Sequence, residues 1–503
     1  MAARLGFARM LVLFLGTLFL FLALLRLEEA REGLSVTHEM LGATPVTIHR
    51  PEGDVAPAPA IVIAHGFAGS RPLMRSFAET LGRAGYVTLS FDYLGHGAHP
   101  DPMTGDVTDA AGTTRALALQ TATMVEAARA LPGTDGHVAL LGHSMATDIL
   151  MRVARDDPEI AATVAVSMFS EVPTGESPRN LRIIVGEWET PLVAEAERIV
   201  ALATGGPAAE GAIYGDPAAG TARGHVVAGN VEHVGVLYDP EALIAARDWF
   251  DLVFARDGGE GVALRGVWIV VALVSAVALG WPLARFLPRL AEPRAGLSGG
   301  RFWAAAIGPA VLTPLILWPL PTGFLPVLIA DYLALHFGLF GVLTLLAMLA
   351  LGHRPRLGRA PLALLAGLGA ALWTTGALAL LLDAQVAAFV PGGERVTLLA
   401  AILAGTLAWG LADAALSAGA QVRGAGLWTK VLLLASLGGA VALDLSGLFF
   451  LLIILPVIVI FLAVHGLFAR WIGGQTGHPA AAGVATGIAL AWALAVTFPR
   501  VAV

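Results

Sequence analysis

The chain contains no cysteine at all. That excludes disulfides, thiolate metal sites and a cysteine nucleophile, and it leaves the redox compartment open. Charge is scarce too: Asp, Glu, Lys and Arg together make up 14% of 503 residues, against 56% hydrophobic residues. A soluble protein of this length carries far more charge, so much of the chain belongs in lipid. Positive charge is not in excess either, the formal net charge being −7, so nothing points to nucleic-acid binding.

What is present is unevenly placed. An uncharged run from Met10 to Leu25 is followed by an ordinary mixed stretch from Leu34 to about Asp257, and then by long apolar segments from Val267 to Phe498. The chain divides into an N-terminal anchor (1–33), a globular domain (34–257) and an all-α polytopic membrane domain (258–503) of about eight helices, each span needing about 20 apolar residues. The predicted spans are Met10–Leu25, Val267–Phe286, Phe302–Leu320, Phe324–Leu351, Pro361–Leu382, Val396–Leu416, Trp428–Leu443, Leu448–Leu467 and Pro479–Phe498. Trp428–Leu443 is short enough to be re-entrant. Arg26-Leu27-Glu28-Glu29 stands where a signal peptide would have its small-residue cleavage site, which favours an uncleaved anchor.

Basic residues in short loops orient such a protein. Arg4 and Arg9, then Arg285, Arg289, Arg294 and Arg301, then Arg354, Arg356 and Arg359, then Arg423 and Lys430, and finally Arg470 all fall on one side if the N-terminus is cytoplasmic. The alternate loops hold only Arg395. Arg26, Arg31, Arg256 and Arg265 flank the globular domain on the other side, but long domains translocate regardless of charge. The balance places the globular domain outside the cytoplasm, and the richness in Ala, Gly and Arg suggests a bacterial inner membrane with that domain in the periplasm.

Between Val36 and Asp257, short β-branched runs alternate with helical stretches, which predicts a doubly wound, mostly parallel sheet. Strands are expected at Val46–His49, Ala60–Ala64, Val87–Phe91, Val138–Leu141, Thr163–Val166, Arg182–Val185 and His225–Ala228, with helices such as Leu73–Arg83, Thr114–Ala130 and Leu192–Ala203 between them. The stretch from Val166 to Arg182 is too short to hold a large helical lid.

The most informative motif is Gly142-His143-Ser144-Met145-Ala146, directly after an apolar strand and directly before a helix. A serine hydroxyl becomes a useful nucleophile when it is held exposed on such a turn, within reach of a base and beside a helix N-terminus. Alanine at 146 replaces the second glycine usual in this motif. Three further segments accompany it: His65-Gly66-Phe67-Ala68-Gly69-Ser70, Phe91-Asp92-Tyr93-Leu94-Gly95-His96-Gly97, and Val231-Glu232-His233-Val234.

Together these four segments make residues 34–257 resemble the α/β-hydrolase superfamily; the resemblance does not reach the C-terminal half. It implies a nucleophile at Ser144, an oxyanion loop at His65–Ser70 and a base at His233. The family order of serine, acid, histidine puts the acid after the strand ending at Val185, where Glu189 is three positions beyond a glycine and Glu187 is the alternative. His233 would take the Ser144 proton, with the carboxylate holding its tautomer. The backbone N–H groups of Phe67 and Met145 would form the oxyanion hole, where losing a donor costs about 2.7–4 kcal/mol. This chemistry needs no metal and no cofactor.

Other polar groups have simpler readings. His65 and Asp92 shape loops, His143 packs or faces substrate, and His225 is structural. His96, His99 and Asp101 read as a solvated Gly/Pro-rich turn rather than a metal site. Asp331, His336 and Asp413 lie in or near spans, where ionisable groups are costly. They keep open a transporter or lipid-handling role with a non-catalytic hydrolase-like domain. The leading expectation is a membrane-embedded serine hydrolase of acyl esters or thioesters, lipid esters among them, working at the bilayer; acyl transfer to an alcohol is the nearest variant.

Overall fold

The computed structural model describes residues 6–53, 56–105, 110–259, 261–292, 294–354 and 358–502. Two of the orienting arginines, Arg4 and Arg356, lie outside the described residues.

The globular part is built on one eight-stranded sheet: β1 (Leu34–Leu41), β2 (Thr44–Pro51), β3 (Ala58–Ala64), β4 (Val87–Phe91), β5 (Thr134–His143), β6 (Thr163–Val166), β7 (Leu181–Gly186) and β8 (Arg223–Ala228), in the order β1-β2-β4-β3-β5-β6-β7-β8. β1 and β2 run antiparallel, β2 meets β4 antiparallel, and every pairing from β4 to β8 is parallel. β1 has no counterpart among the expected strands, because its side chains are mostly exposed and carry no continuous apolar run.

Strand periodicity explains the two cores. Ile61 and Ile63 of β3 face one side, with Phe77, Leu81, Leu243 and Trp249. Val62 and Ala64 face the other, with Leu117, Ile149, Leu150 and Ile199. Helices α2 (Arg75–Arg83) and α6 (Pro240–Phe254) cover the first face; α3 (Arg115–Arg129), α4 (Met145–Asp156) and α5 (Thr190–Thr204) cover the second. Residues 167–180, between β6 and β7, contain no helix.

Among the described residues nine helices are long and apolar enough to cross a membrane. They are α1 (Phe7–Glu29), α7 (Gly266–Leu283, extended by a turn to Phe286), α8 (Gly299–Leu317), α9 (Ala330–Ala350), α10 (Ala360–Ala371) running through a π turn into α11 (Leu378–Gln385), α12 (Glu394–Ser417), α13 (Ala425–Leu443), α14 (Phe449–Thr476) and α15 (Pro479–Thr497). The fourth expected span is shortened at its start, because Phe324 to Ile329 is a loop whose N–H groups are bound by Asp331. The segment expected to be short or re-entrant is a full 19-residue helix. α12 and α15 meet at bare backbone: a Cβ on Gly410 would lie 2.5 Å from the Gly483 carbonyl oxygen, and one on Gly483 would lie 2.7 Å from that of Gly410. Small residues let two such helices approach this closely.

The two ends of this bundle differ. At one end the helix connections pack on each other: Gly296 N–H donates to Gly419, Leu290 N–H to Thr476, and the Arg359 guanidinium to the Leu290 carbonyl. At the other end the connections meet the globular part. Arg75 donates to the Ala384 carbonyl, Ala388 N–H donates to Ser70 Oγ, and Arg395 donates to the Gly95, Ala495 and Phe498 carbonyls. The C-terminal tail joins there, with Met103 N–H donating to Arg500 and Arg500 N–H to Gly95.

That tail overturns the reading of His96, His99 and Asp101 as a solvated turn. His96 and His99 are both buried, under a C-terminal segment some 400 residues away in sequence that local composition could not reveal. Among the described residues they form no metal-ligating group. Lys430, grouped above with the loop cations, instead lies inside α13 and is ion-paired with buried Asp413.

Candidate active site

The site lies outside the carboxyl ends of β3 and β5, where the chain turns to opposite sides of the sheet and where ligands of open α/β sheets bind. Ser144 follows β5 and precedes α4 with φ 54° and ψ −120°. A non-glycine residue in this region is strained, and such strain persists only where the surroundings enforce it. Here the Ser144 N–H donates to the Val166 carbonyl, its C=O accepts from Thr147, and Gly142 is closed in by Leu150. The Ala146 methyl is fully buried, so the elbow accommodates alanine in place of the second glycine.

The structure brings Ser144, His233 and Glu189 together. Ser144 Oγ lies 2.8 Å from His233 Nε2, and His233 Nδ1 lies 2.5 Å from Glu189 Oε1. The other Glu189 oxygen accepts from Ser167 Oγ at 2.7 Å and from the Gly186 N–H at 2.8 Å. A carboxylate held by three donors is aligned and kept as an acceptor for the imidazole. Glu187 points elsewhere: it is exposed and accepts from the Asn230 N–H.

Phe67 and Met145 are brought to the same place by close backbone approach. A Cβ on Gly66 would lie 2.9 Å from the Ser144 Cβ, so only glycine lets the loop after β3 come this near the hydroxyl. Met145 opens α4, where a backbone N–H has no intrahelical partner and the helix dipole is positive.

The surrounding histidines are structural. His65 Nδ1 donates to the Gly66 carbonyl and its Nε2 accepts from the Tyr93 N–H, tying the loop after β3 to that after β4. Burial pushes its pKa down to about 4, which keeps it neutral and able to do both. His143 is pushed down to about 3 by burial, and as a neutral ring its Nε2 donates to the His233 carbonyl at 2.8 Å. Asp92 accepts from the Arg71 and Ala98 N–H groups and pairs with the Arg71 guanidinium, so it too shapes loops.

Sequence reasoning did not find Ser167, nor the bond from His143 to the His233 carbonyl. The available signal for Ser167 was its position, the first residue after the strand that pairs in parallel with the acid's own strand.

Comparison with known proteins supports the architecture. The alpha/beta hydrolase fold family profile matches residues 59–188. This part of the chain has the alpha/beta hydrolase fold. Similar solved structures include a dienelactone hydrolase from Anabaena variabilis, at 18% identity over 44% of this chain and 98% of that chain, TM-score 0.31. A proline iminopeptidase-related protein from Thermus thermophilus matches at 16% identity over 44% and 99%, TM-score 0.31. An epoxide hydrolase from Vigna radiata matches at 18% identity over 27% and 39%, TM-score 0.22. Among curated proteins none matches the sequence. The fold supports a hydrolase-type function.

The hydrolase domain does not present its site to open water on every side. Phe67, in the loop beside Ser144, stacks on Phe450 of α14 with ring centroids 4.5 Å apart and planes 25° apart. Phe169, Trp188 and Val234 are exposed in the loops after β6, β7 and β8.

Proposed function

We propose that this protein is a membrane-embedded serine hydrolase that cleaves acyl esters or thioesters through Ser144, His233 and Glu189. The observation that carries the reading is the unbroken hydrogen-bonded chain from the strained Ser144 through His233 to Glu189. Ser144 Oγ attacks the acyl carbonyl carbon while its proton passes to His233 Nε2, and Glu189 stabilises the resulting imidazolium. Charge on the carbonyl oxygen is received by the Phe67 and Met145 N–H groups. The imidazolium then protonates the leaving alcohol or thiol, giving an acyl-enzyme. Water, deprotonated by His233, attacks the acyl-enzyme and releases the acid.

Apolar side chains in the loops at this end of the sheet, Phe67 on Phe450 and exposed Phe169, Trp188 and Val234, favour acyl-chain or lipid-like substrates. The nine apolar helices support a multi-pass protein of the lipid bilayer. Arg285, Arg289, Arg294, Arg359 and Arg423 cluster at the bundle end away from the hydrolase domain, which favours a bacterial inner membrane with the domain on the periplasmic side. A transport role resting on Asp331 has less support, because its oxygens already accept from the Phe324, Leu325 and Tyr332 N–H groups.

The test is labelling of the purified full chain with a fluorophosphonate probe. Wild type and Ser170→Ala are expected to label, and Ser144→Ala is not; Ser170 Oγ is bonded to Asp148, away from the chain of three. An unlabelled, folded wild type would overturn the reading. Adding an alcohol acceptor to a turnover assay then separates hydrolysis from acyl transfer in the second step.

A further inference from the structure

The hydrolase domain has no lid between β6 and β7, yet one wall of its site comes from elsewhere in the chain. At the end of the helical bundle that meets this domain, the α13–α14 connection borders a wide, shallow surface hollow lined by Ala442, Leu443, Leu445, Phe449 and Phe450 together with the turn at Asp444 and Ser446. The polar members of the turn are engaged with each other, since Asp444 accepts from the Gly447 N–H and from Ser446 Oγ. Beside them Leu445 and Phe449, each more than half exposed, offer apolar surface.

Phe450 belongs to both places. It lines the hollow, and its ring stacks on Phe67, the residue whose N–H would receive the oxyanion. Gly66, next to Phe67, comes so near Ser144 that an added Cβ would lie 2.9 Å from the Ser144 Cβ. Phe450 therefore connects the lining of the hollow to the loop that carries the oxyanion donor. The hollow also sits at the ends of α13 and α14, two helices apolar enough to cross a membrane.

We infer that the α13–α14 connection is the acyl-binding wall of the active site, holding the apolar chain of the ester substrate, and that Phe450 sets both chain-length preference and the position of the Phe67 N–H. The inference rests on the serine-hydrolase reading above and adds a site contributed by the helical part. The occupant is an unbranched acyl chain, since most of the lining side chains are apolar and the one charged group, Asp444, lies in the turn and accepts from the Gly447 N–H and Ser446 Oγ.

The experiment compares kcat/KM for p-nitrophenyl laurate and p-nitrophenyl acetate in the detergent-purified full chain, with fluorophosphonate labelling alongside. Phe450→Ala removes the shared ring, and the exposed Ser446→Trp fills the hollow without touching the packed helices. Each is expected to lower the laurate-to-acetate ratio by about tenfold or more relative to wild type, the order expected for altered apolar contact in a pocket. Leu312→Ala, on a lipid-facing part of α8, is expected to keep the wild-type ratio. An unchanged ratio in both Phe450→Ala and Ser446→Trp, with labelling at Ser144 intact, overturns the acyl wall and leaves the hydrolase reading standing. A wild type that neither labels nor turns over either ester overturns both.

Discussion

In the proposed triad Glu189 is held by three hydrogen bonds, one from the nearby Gly186 N–H and two from Ser167 and His233, more distant in the chain. Removing its charge while keeping its shape, as in Glu189→Gln, is expected to lower kcat by roughly 10³ to 10⁴, the order seen when a triad acid becomes an amide. Glu187→Gln, on an exposed carboxylate bonded only to the Asn230 N–H, is expected to stay near wild type in the same esterase assay. Equal losses in the two variants would reject the assignment of the acid. Ser167→Ala removes one donor to Glu189 and leaves the others; about a tenfold fall in kcat with little change in KM is the expected signature of a residue that acts through another.

Among the elements, α2 and α7 are joined by one buried ion pair. Arg265, just before α7, donates twice to Glu79 of α2 and reaches Gln385 at the end of α11; neither charged side chain is more than 1% exposed. Burial pushes the Glu79 carboxyl above the usual carboxylate range in spite of Arg265, so desolvation weighs heavily here. Breaking such a pair leaves an uncompensated buried charge, at a cost of about 3–5 kcal/mol, whereas replacing both partners with apolar residues is often far milder. Glu79→Ala is expected to lower the melting temperature of the detergent-solubilised protein sharply. The double variant Glu79→Leu with Arg265→Met is expected to recover much of that loss. A double variant as unstable as the single one would show that the pair itself holds the elements together.

At the scale of the whole molecule, four buried imidazoles in the hydrolase domain set a pH dependence. Burial holds His49, His96 and His143 at about 3 and His65 at about 4, all below the ordinary value of 6.5. Above pH 6.5 these groups are neutral whether the chain is folded or not, so they leave stability unchanged. Below it the unfolded chain binds protons that the folded domain refuses, and stability falls between about pH 6.5 and 4. Glu79, with its raised pKa, acts in the opposite sense, one group against these four and against His99 and His225, which burial also lowers. Unfolding of the purified protein, followed by intrinsic fluorescence from pH 7.5 to 4, is expected to show a midpoint that drops steadily below pH 6.5. A flat profile across that window would count against these rings being buried and neutral.

The fold class, seven of the eight strands, the apolar helices and the serine of the candidate triad could be read from the chain, because each leaves a local mark, while His233 and the pair of carboxylates Glu189 and Glu187 came with the resemblance. Period-two runs mark strands, long uncharged runs mark helices in lipid, and a serine between an apolar strand and a helix marks an elbow. Whatever depends on contact between distant segments left no such mark. The choice of Glu189 over Glu187 came from which carboxylate meets His233, a difference that spacing alone left open. The burial of His96 and His99 came from a tail some 400 residues onward. The stacking of Phe450 on Phe67 joins two parts of the chain that share no pattern, and it arises because the loops after β3 and β4 dock on one end of the helical bundle. Local chemistry selects which elements form; the packing of those elements selects which side chains meet.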